Sequence, residues 1–230
     1  MIEKISAVKY YAIIVGGGSG TRMGSEIPKQ FLPLNGLPVL MHTIKAFYST
    51  PISPEIIVVL NLDTHDYWKE LCKENNFTIP HTLVAGGEQR FHSVRNGLAY
   101  IKGPGIVAIH DAVRPCVSVK LIDSAYRQAE EQGNAVPAVK SRDSVRIQTD
   151  KGSVFVDRQN IFLIQTPQVF KSEVLKKAYL QEYDVEFTDD ASVVEKTGVN
   201  ILLIEGETSN LKITFPEDIL VAESYLNSKK

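Results

Sequence analysis

Residues 12–31 read AIIVGGGSGTRMGSEIPKQF, an apolar run that stops at a cluster of glycines and is followed by two cations. Residues 16–18 are three consecutive glycines, so the chain can turn sharply there and present backbone N–H groups to a ligand. Arg22 and Lys29 follow, and they suit phosphate as a guanidinium fork and a point charge. The stretch therefore predicts a triphosphate site after the first strand of an α/β fold, where such folds bind ligands.

The glycine spacing excludes two common nucleotide motifs. A dinucleotide fingerprint would need glycine at position 23, where the chain has Met23, and no Gly-Lys pair exists for a P-loop. For the glycines alone, an ordinary tight loop with two solvated cations is the alternative. The position directly after an apolar strand favours phosphate binding.

Composition narrows the function classes. The 230 residues include 25 Lys plus Arg and 27 Asp plus Glu, a net charge of -2, so no global basic field exists for a nucleic acid polymer. Cys72 and Cys116 match no zinc or CxxC spacing, which indicates a reducing compartment. The N-terminus lacks a signal-peptide pattern and the apolar runs are too short to span a bilayer. We expect a cytoplasmic protein without a membrane partner.

Short β-branched runs alternate with amphipathic segments along the first 140 residues. YYAIIV and EIIVVL read as strands, whereas VLMHTIKAFYS and THDYWKELCKEN read as helices. Near-continuous apolar strands are typical of a parallel sheet covered on both faces. We expect one α/β domain over residues 1–230, with a doubly wound, mostly parallel, Rossmann-like sheet.

The alternation weakens at residues 141–158, SRDSVRIQTDKGSVFVDR. Period-two patterns flank the turn signal TDKG, which predicts a β-hairpin inserted in the α/β fold. From the residues alone, the hairpin is either an ordinary sheet edge or an arm that pairs with another subunit.

Six ordered segments between about residue 10 and residue 226 are familiar together. They are GGGSGTRMGSEIPKQF, GGEQRFHSV, HDAVRPC, VDRQNIFLIQTPQVF, TDDAS and SNLKITFPEDILVAE. In this order they resemble the cytidylyltransferases that activate sugar-alcohol phosphates.

The resemblance implies transfer of CMP from CTP to an acceptor phosphate with release of pyrophosphate. It is greatest to the members that use 2-C-methyl-D-erythritol 4-phosphate, in non-mevalonate isoprenoid synthesis. Ribitol 5-phosphate is the alternative acceptor, and a non-catalytic CTP-binding regulatory module is the alternative function.

The resemblance also implies roles for individual residues. Three groups stabilise the transferring phosphate, namely Arg22, Lys29 and Lys212. The nucleotide site comprises Gly16, Gly17, Gly18, Gly87, Glu88, Ser93, Asp111 and Ala112. The acceptor site comprises Asp111, Arg114, Ser144, Arg158, Thr166, Thr188 and Lys212. Within these sets, Ser93 is expected at the edge of the base, and Arg158 is expected to act across the interface of a homodimer.

Most of these residues also have ordinary structural interpretations. Glu88 would be a solvated loop acid, Asp111 the N-cap of a following turn, and Thr188 a helix N-cap. Arg158 would be a surface ion-pair residue and Lys212 an exposed strand lysine.

The implied reaction needs no enzyme nucleophile. The acceptor phosphate is already ionised at neutral pH and attacks the α-phosphorus of CTP in line with the departing pyrophosphate. The site must therefore align two anions and neutralise the charge that develops between them. We expect Mg²⁺ to bind mainly through the CTP phosphates, without a dedicated set of protein ligands. His110 is expected to be a packed histidine at a strand end.

Overall fold

The computed structural model describes residues 8–17 and 27–228. The strands in chain order are β1 (Tyr10–Val15), β2 (Pro33–Leu34), β3 (Leu37–Pro38), β4 (Glu55–Leu60), β5 (Thr82–Ala85), β6 (Ile106–Asp111), β7 (Asn134–Lys140), β8 (Val145–Thr149), β9 (Gly152–Val156), β10 (Phe162–Ile164), β11 (Gln168–Lys171) and β12 (Leu203–Glu205). The α-helices are α1 (Val39–Tyr48), α2 (His65–Glu74), α3 (Arg90–Leu98), α4 (Val119–Gln132), α5 (Ser172–Ala178), α6 (Asp190–Glu195) and α7 (Glu217–Asn227).

A central sheet of eight strands runs through the described residues in the order β10-β7-β11-β6-β1-β4-β5, and β12 pairs with β7. The strands β1, β4, β5 and β6 are mutually parallel, and β12 is parallel to β7. The strand β11 pairs antiparallel with both β6 and β7, and β10 pairs antiparallel with β7. The predicted mostly parallel α/β sheet is confirmed.

Helices cover both faces of this sheet, as predicted. Alternate residues of β1 point to opposite faces, because successive strand residues do so. Ala12 and Ile14 join one buried cluster with side chains of α1, α2 and α4. Tyr11 and Ile13 join a second cluster with side chains of α3, α5 and α6. No helix among the described residues is long and apolar enough to cross a membrane.

The sequence FHSVRNGLAYI places apolar residues at helical spacing, which predicts a helix with one buried stripe, and the stripe on α3 is buried. Phe91, Val94 and Leu98 pack in the second cluster, and Ile101 joins them although the helix ends at Leu98. The apolar run VNILLI at residues 199–204 also predicts a strand, but the observed strand is shorter, since only Leu203–Glu205 pairs with β7.

The predicted hairpin over 141–158 is also confirmed. β8 and β9 pair antiparallel, with Thr149 opposite Gly152, and form a two-stranded sheet of their own. Gly152 takes a φ of 115°, a backbone region that side chains disfavour. Apolar side chains remain exposed on the hairpin, among them Phe155 at 70%. An isolated two-stranded hairpin is marginal in water, so this one lacks an obvious internal source of stability.

Helix α3 approaches the sheet closely at Gly97. A Cβ atom there would lie 2.8 Å from Cγ2 of Ile13 and 3.2 Å from Cγ2 of Val59. In an open helix, replacing glycine by alanine stabilises by about 1 kcal/mol. Here the added methyl group would push the helix away from the sheet.

We expect Gly97→Ala to lower the free energy of unfolding by about 1–2 kcal/mol, because overpacking outweighs the gain in helix propensity. Equilibrium unfolding in urea measures the change. The sign of the change in unfolding free energy decides the matter, since a more stable variant would show that α3 does not depend on this close contact.

Candidate functional site

The site lies where the first glycines meet the carboxyl end of β6. Val15, the last residue of β1, pairs with Asp111, the last residue of β6. Both strands are parallel, so the chain that follows each of them leaves the sheet at the same edge. Ala112 donates its backbone N–H to the carbonyl of Val15 at 2.9 Å, which holds the two strand ends together.

Three cations surround the carboxylate of Asp111. Lys212 Nζ lies 2.9 Å from Oδ2, and Arg114 Nε lies 3.5 Å from the same oxygen. Arg90 Nε lies 3.4 Å from Oδ1. Burial alone would raise the pKa of Asp111, but the charges of Arg90, Lys212 and Arg114 hold it well below its ordinary value. The group is therefore a permanent carboxylate with a cation on each oxygen.

Asp111 is not the N-cap of a following helix. The next helix, α4, is capped by Ser118, whose side chain accepts the backbone N–H of Leu121. Among the described residues the carboxylate of Asp111 also bonds no backbone N–H of the turn that follows β6, and its partners are Arg90, Arg114 and Lys212.

His110 and Thr166 form a buried chain of hydrogen bonds behind Asp111. His110 Nε2 lies 3.2 Å from the carbonyl of Arg114, so this nitrogen carries the proton. Nδ1 then accepts from the Thr166 hydroxyl at 3.0 Å, and Thr166 Oγ1 in turn accepts the backbone N–H of Asp111 at 3.1 Å. Burial lowers the pKa of His110 to about 3, which keeps the ring neutral. The packed role predicted for His110 agrees with this geometry, and Thr166 lies beside Asp111 as expected.

An irregular segment before α7 carries Lys212 to the cluster. The carbonyl of Asn210 accepts from Arg114 Nη1 at 2.7 Å, and its side-chain Nδ2 donates to the carbonyl of Thr166 at 2.8 Å. Ile213 accepts from Lys29 Nζ at 3.1 Å through its carbonyl. The two lysines predicted to be catalytic therefore meet at one segment, which contains Lys212 and bonds Lys29 at the next residue, Ile213. Lys212 lies in this irregular segment and not in a strand.

The nucleotide-side residues are packed tightly around Ser93. Its hydroxyl accepts the backbone N–H of Gly87 at 3.0 Å and donates to the carbonyl of Gln89 at 3.2 Å. A Cβ at Gly87 would lie 2.4 Å from Cβ of His92, and one at Gly17 would lie 3.1 Å from the Ser93 hydroxyl. Ser93 therefore packs against both glycine segments. A side chain at Gly87 would collide with His92, and one at Gly17 would press closely against the Ser93 hydroxyl.

Gly16 is required for a different reason. A Cβ there would lie 2.8 Å from Cδ2 of Leu60 and 3.1 Å from Cβ of Ala112, which is fully buried. The carbonyl of Gly16 accepts from Gln30 Nε2 at 2.8 Å. This bond ties the segment with Lys29 to the end of β1.

Thr188, predicted for the acceptor site, is not the helix cap. Asp189 caps α6 by accepting the backbone N–H of Ser192 at 2.8 Å, and Thr188 is exposed just before it. The next residue, Asp190, is fully buried and accepts from Arg90 Nη2 at 2.7 Å. The exposed hydroxyl of Thr188 is therefore held two residues from an ion pair that reaches the Asp111 cluster.

Sequence comparison identifies the family. The family model described as 2-C-methyl-D-erythritol 4-phosphate cytidylyltransferase matches residues 10–228. The chain belongs to this family. A relative of that name from Bacteroides thetaiotaomicron is 49% identical over 219 residues, which cover 95% of this chain and 100% of the relative. One from Bacteroides fragilis is 50% identical over 215 residues, covering 94% and 98%.

Solved structures of similar proteins agree. The 4-diphosphocytidyl-2C-methyl-D-erythritol synthase of Anaerococcus prevotii superposes with a TM-score of 0.81 at 30% identity, covering 96% of both chains. The 2-C-methyl-D-erythritol 4-phosphate cytidylyltransferase of Francisella tularensis gives a TM-score of 0.77 at 32% identity, covering 94% of this chain and 99% of that one. The predicted enzyme class, a nucleotidyltransferase of the non-mevalonate pathway that uses CTP, is confirmed.

Two predicted residues of this cytidylyltransferase family member, Gly18 and Arg22, fall outside the described residues. Three others are exposed. Glu88 is exposed on its loop, and Ser144 is exposed where the hairpin begins. Arg158 is exposed too and donates from Nη1 to the carbonyl of Arg142 at 2.9 Å. Within 8–17 and 27–228, Glu88, Ser144 and Arg158 have no hydrogen bond or ion pair to Asp111.

Sequence reasoning missed four polar residues that build the site. They are Arg90, Asn210, Gln168 and Asp190. Gln168 donates to Asp189 Oδ2 at 2.9 Å and accepts the backbone N–H of Ala191 at 2.8 Å, so it fixes the start of α6 to β11. The sequence offered one indication of their importance, which is that they lie inside the motifs GGEQR, QTPQ, TDDAS and SNLK. Nothing in spacing or periodicity distinguishes them from surface polar residues.

We expect stability to fall as the pH drops below about 6.5, partly because of His110. Its pKa is about 3 when folded and about 6.5 when unfolded, so the unfolded chain binds one more proton in this window. The stabilisation is present above the unfolded pKa and is lost on acidification, by up to about 1.4 kcal/mol per pH unit. Asp111, with its lowered folded pKa, adds a similar loss only below about pH 4.

Urea unfolding at pH 7, 6 and 5 checks this expectation. The variant His110→Gln should show a smaller loss of stability between pH 6 and pH 5 than the unmodified protein. Tyr126→Phe is the control. It removes a buried hydroxyl that donates to the backbone carbonyl of Tyr11 at 2.8 Å, but it removes no group that gains a proton between pH 7 and pH 5. Equal pH slopes in all three proteins would contradict the assignment.

Proposed function

We propose that this chain transfers CMP from CTP to 2-C-methyl-D-erythritol 4-phosphate and releases pyrophosphate. An oxygen of the acceptor phosphate attacks the α-phosphorus, forming the new P–O bond as the bond to the pyrophosphate oxygen breaks. The bonding electrons leave with pyrophosphate, so no covalent enzyme intermediate is required. The observation that carries the proposal is that Lys212 and Arg114 converge on Asp111 at the carboxyl end of β6, while Lys29 bonds the carbonyl of Ile213, the residue after Lys212.

The two lysines stabilise the charge of the transition state. Lys212 is 41% exposed even while it contacts Asp111, so its ammonium group can also face a phosphate. Lys29 is anchored by the carbonyl of Ile213, one residue further along the same segment. A shared anchoring segment fixes the separation of the two charges before substrate arrives, which is the requirement of electrostatic preorganisation. We assign Arg22 a third contact with the triphosphate.

Asp111 and Arg114 form the acceptor side of the proposed site. The carboxylate accepts acceptor hydroxyls while it orients Lys212, and Arg114 faces the acceptor phosphate. Thr188 contributes a hydroxyl group from the segment before α6, and Thr166, between β10 and β11, supports Asp111 from behind through its bonds to the Asp111 backbone and to His110. The nucleotide occupies the turns at Gly16, Gly17 and Gly87, with Gly18, Glu88, Ser93 and Ala112 completing its site.

The residues present fit a magnesium ion that is held by substrate. Among the described residues, no group of three or more His, Cys, Asp or Glu is arranged to hold a metal. Magnesium keeps several waters and is often bound through one carboxylate and substrate phosphates, and Asp111 is the carboxylate of the cluster. When bound, Mg²⁺ would neutralise part of the triphosphate charge.

We further propose that the chain forms a homodimer through the hairpin β8–β9 and the edge strand β10. These elements expose a run of apolar side chains, namely Ile147, Val154, Phe155, Phe162, Leu163 and Ile164. Contiguous exposed apolar surface indicates an interaction site. Arg158 and Ser144 lie at the base of this hairpin, away from Asp111 of their own chain, which fits their action in the partner's site.

Replacement of either lysine tests the chemistry. We expect Lys212→Ala and Lys29→Ala each to lower kcat by about 10²–10³, because a preorganised charge is lost from the transition state. Pyrophosphate release measures the rate, and Lys69→Ala, which removes an exposed lysine paired with Asp66, is the control. Near-normal turnover in either site variant would refute its role.

The same assay tests the acceptor. The unmodified protein should release pyrophosphate much faster with 2-C-methyl-D-erythritol 4-phosphate than with ribitol 5-phosphate. The reverse preference would replace the proposed acceptor with the alternative, while the lysine comparison would still test the transfer step.

Mixed dimers test whether Arg158 acts across the interface. Arg158→Ala and Lys212→Ala homodimers should both be nearly inactive. In a heterodimer, one site would combine intact Lys212 from one subunit with intact Arg158 from the other. Random mixing should therefore restore about a quarter of normal activity, since about half the dimers carry one good site of two. Absence of recovery, with subunit exchange verified, would place Arg158 in its own chain's site or outside both.

A further inference from the structure

Arg90 makes two ion pairs that join separate parts of the site. It is the first residue of α3, directly after the turn that contains Gly87. Its Nη2 lies 2.7 Å from Asp190 Oδ2, and its Nε lies 3.4 Å from Asp111 Oδ1. One guanidinium thus bridges the carboxyl end of β6 and the first residue of α6.

The far end of this bridge is rigid. Asp190 is fully buried, and its second oxygen accepts from the Tyr179 hydroxyl at 2.6 Å. The ring of Tyr179 stacks on Phe91 with 4.7 Å between centroids, and Phe91 is the residue that follows Arg90. The ion pair is therefore enclosed by contacts from Phe91 on α3 and from Tyr179 at the end of α5.

The near end controls the orientation of Asp111. Arg90 lies on Oδ1, whereas Arg114 and Lys212 lie on Oδ2. A carboxylate that is held on one oxygen cannot rotate freely, so its second oxygen stays directed at Lys212. Lysine cannot replace this arrangement, since a single ammonium lacks the planar fork that spans two carboxylates.

The bridge also fixes the segment before α6. Phe187 stacks on Phe91 with 5.7 Å between centroids, and Thr188 follows it immediately. The exposed Thr188 hydroxyl thus lies between an aromatic contact to α3 and the Arg90–Asp190 ion pair. Its position relative to Asp111 depends on both.

We propose that Arg90 is a positioning residue for the transfer reaction. By pairing with both Asp190 and Asp111, it sets the distance between the segment at Thr188 and the Asp111–Lys212 pair. The inference rests on the proposed function, because it needs an acceptor that spans Thr188 and Asp111. Arg90 itself need not touch either substrate. Loss of Arg90 should therefore raise the KM for the acceptor more than the KM for CTP.

The first test is Arg90→Lys, with the KM of each substrate, kcat and the melting temperature measured together. We expect the acceptor KM to rise about tenfold or more and kcat to fall, while the KM for CTP changes less than about threefold. Arg95→Lys is the matched control, because Arg95 lies on the same helix, is exposed and faces the Phe91 ring at 5.7 Å without a carboxylate contact. It should keep normal constants for both substrates.

The second test is Asp190→Asn, alone and combined with Arg90→Lys. Asparagine can still accept from Tyr179 but removes the charge that holds Arg90. If the two residues act as one bridge, the double variant should raise the acceptor KM little more than either single variant. Asp190→Asn also replaces the first test if Arg90→Lys does not fold, since it should show the same selective rise in acceptor KM.

The possible results separate the bridge from the proposed function. An acceptor KM that stays normal in Arg90→Lys or Asp190→Asn, or a lower melting temperature with unchanged KM values, overturns the positioning role. Turnover of the acceptor by the unmodified protein and by Arg95→Lys supports the proposed function independently of that result. An absence of turnover in both would remove the function on which the inference rests.

Discussion

The ionised carboxylate of Asp111 is the feature on which the rest of the site depends. It is almost fully buried at the end of a central strand, where an unpaired charge would be very costly. Arg90, Arg114 and Lys212 compensate it, and Asp190 compensates Arg90 in turn. Three cations against two carboxylates leave one positive charge in excess. An anionic ligand completes the balance, and the cations are already held in place for it.

Local patterns in the sequence were sufficient to predict the sheet and its helices. Residues such as Ile13 and Val58 belong to apolar runs whose burial is dictated by strand geometry, and α3 follows from the 3.6-residue spacing of Phe91, Val94 and Leu98. The glycines themselves were visible in the sequence, but the structure gives another reason for Gly16 and Gly87, since a Cβ atom there would lie too close to Leu60 and His92. Strand β12 is shorter than the apolar run VNILLI, because the side chain of Asn134, and not the backbone of β7, bonds the carbonyl of Asn200 and the backbone N–H of Leu202.

The polar framework of the site could not be predicted in this way. Arg90 and Asp190 are 100 residues apart in sequence, and Arg114 and Asn210 are 96 apart. Such contacts depend on how the strands are ordered in the sheet, which leaves no trace in the local spacing. Family resemblance found Lys29, Lys212 and Asp111 by their motifs, but it did not separate residues that hold a ligand from residues that hold those side chains. Ser93 illustrates the difference, because its hydroxyl is engaged with the turn at Gly87.

The two halves of the site differ in how they are built. The proposed nucleotide half consists of glycines in close contact with neighbouring residues, Gly16 with Leu60 and Ala112 and Gly87 with His92. The acceptor half depends on long side chains and on an exposed segment at Thr188, anchored by one buried ion pair. Closely packed backbone suits a triphosphate common to many enzymes, whereas adjustable side-chain contacts suit recognition of one particular sugar-alcohol phosphate. Discrimination between acceptors should therefore reside in the anchoring of the Thr188 segment and in the hairpin, and not in the glycine turns.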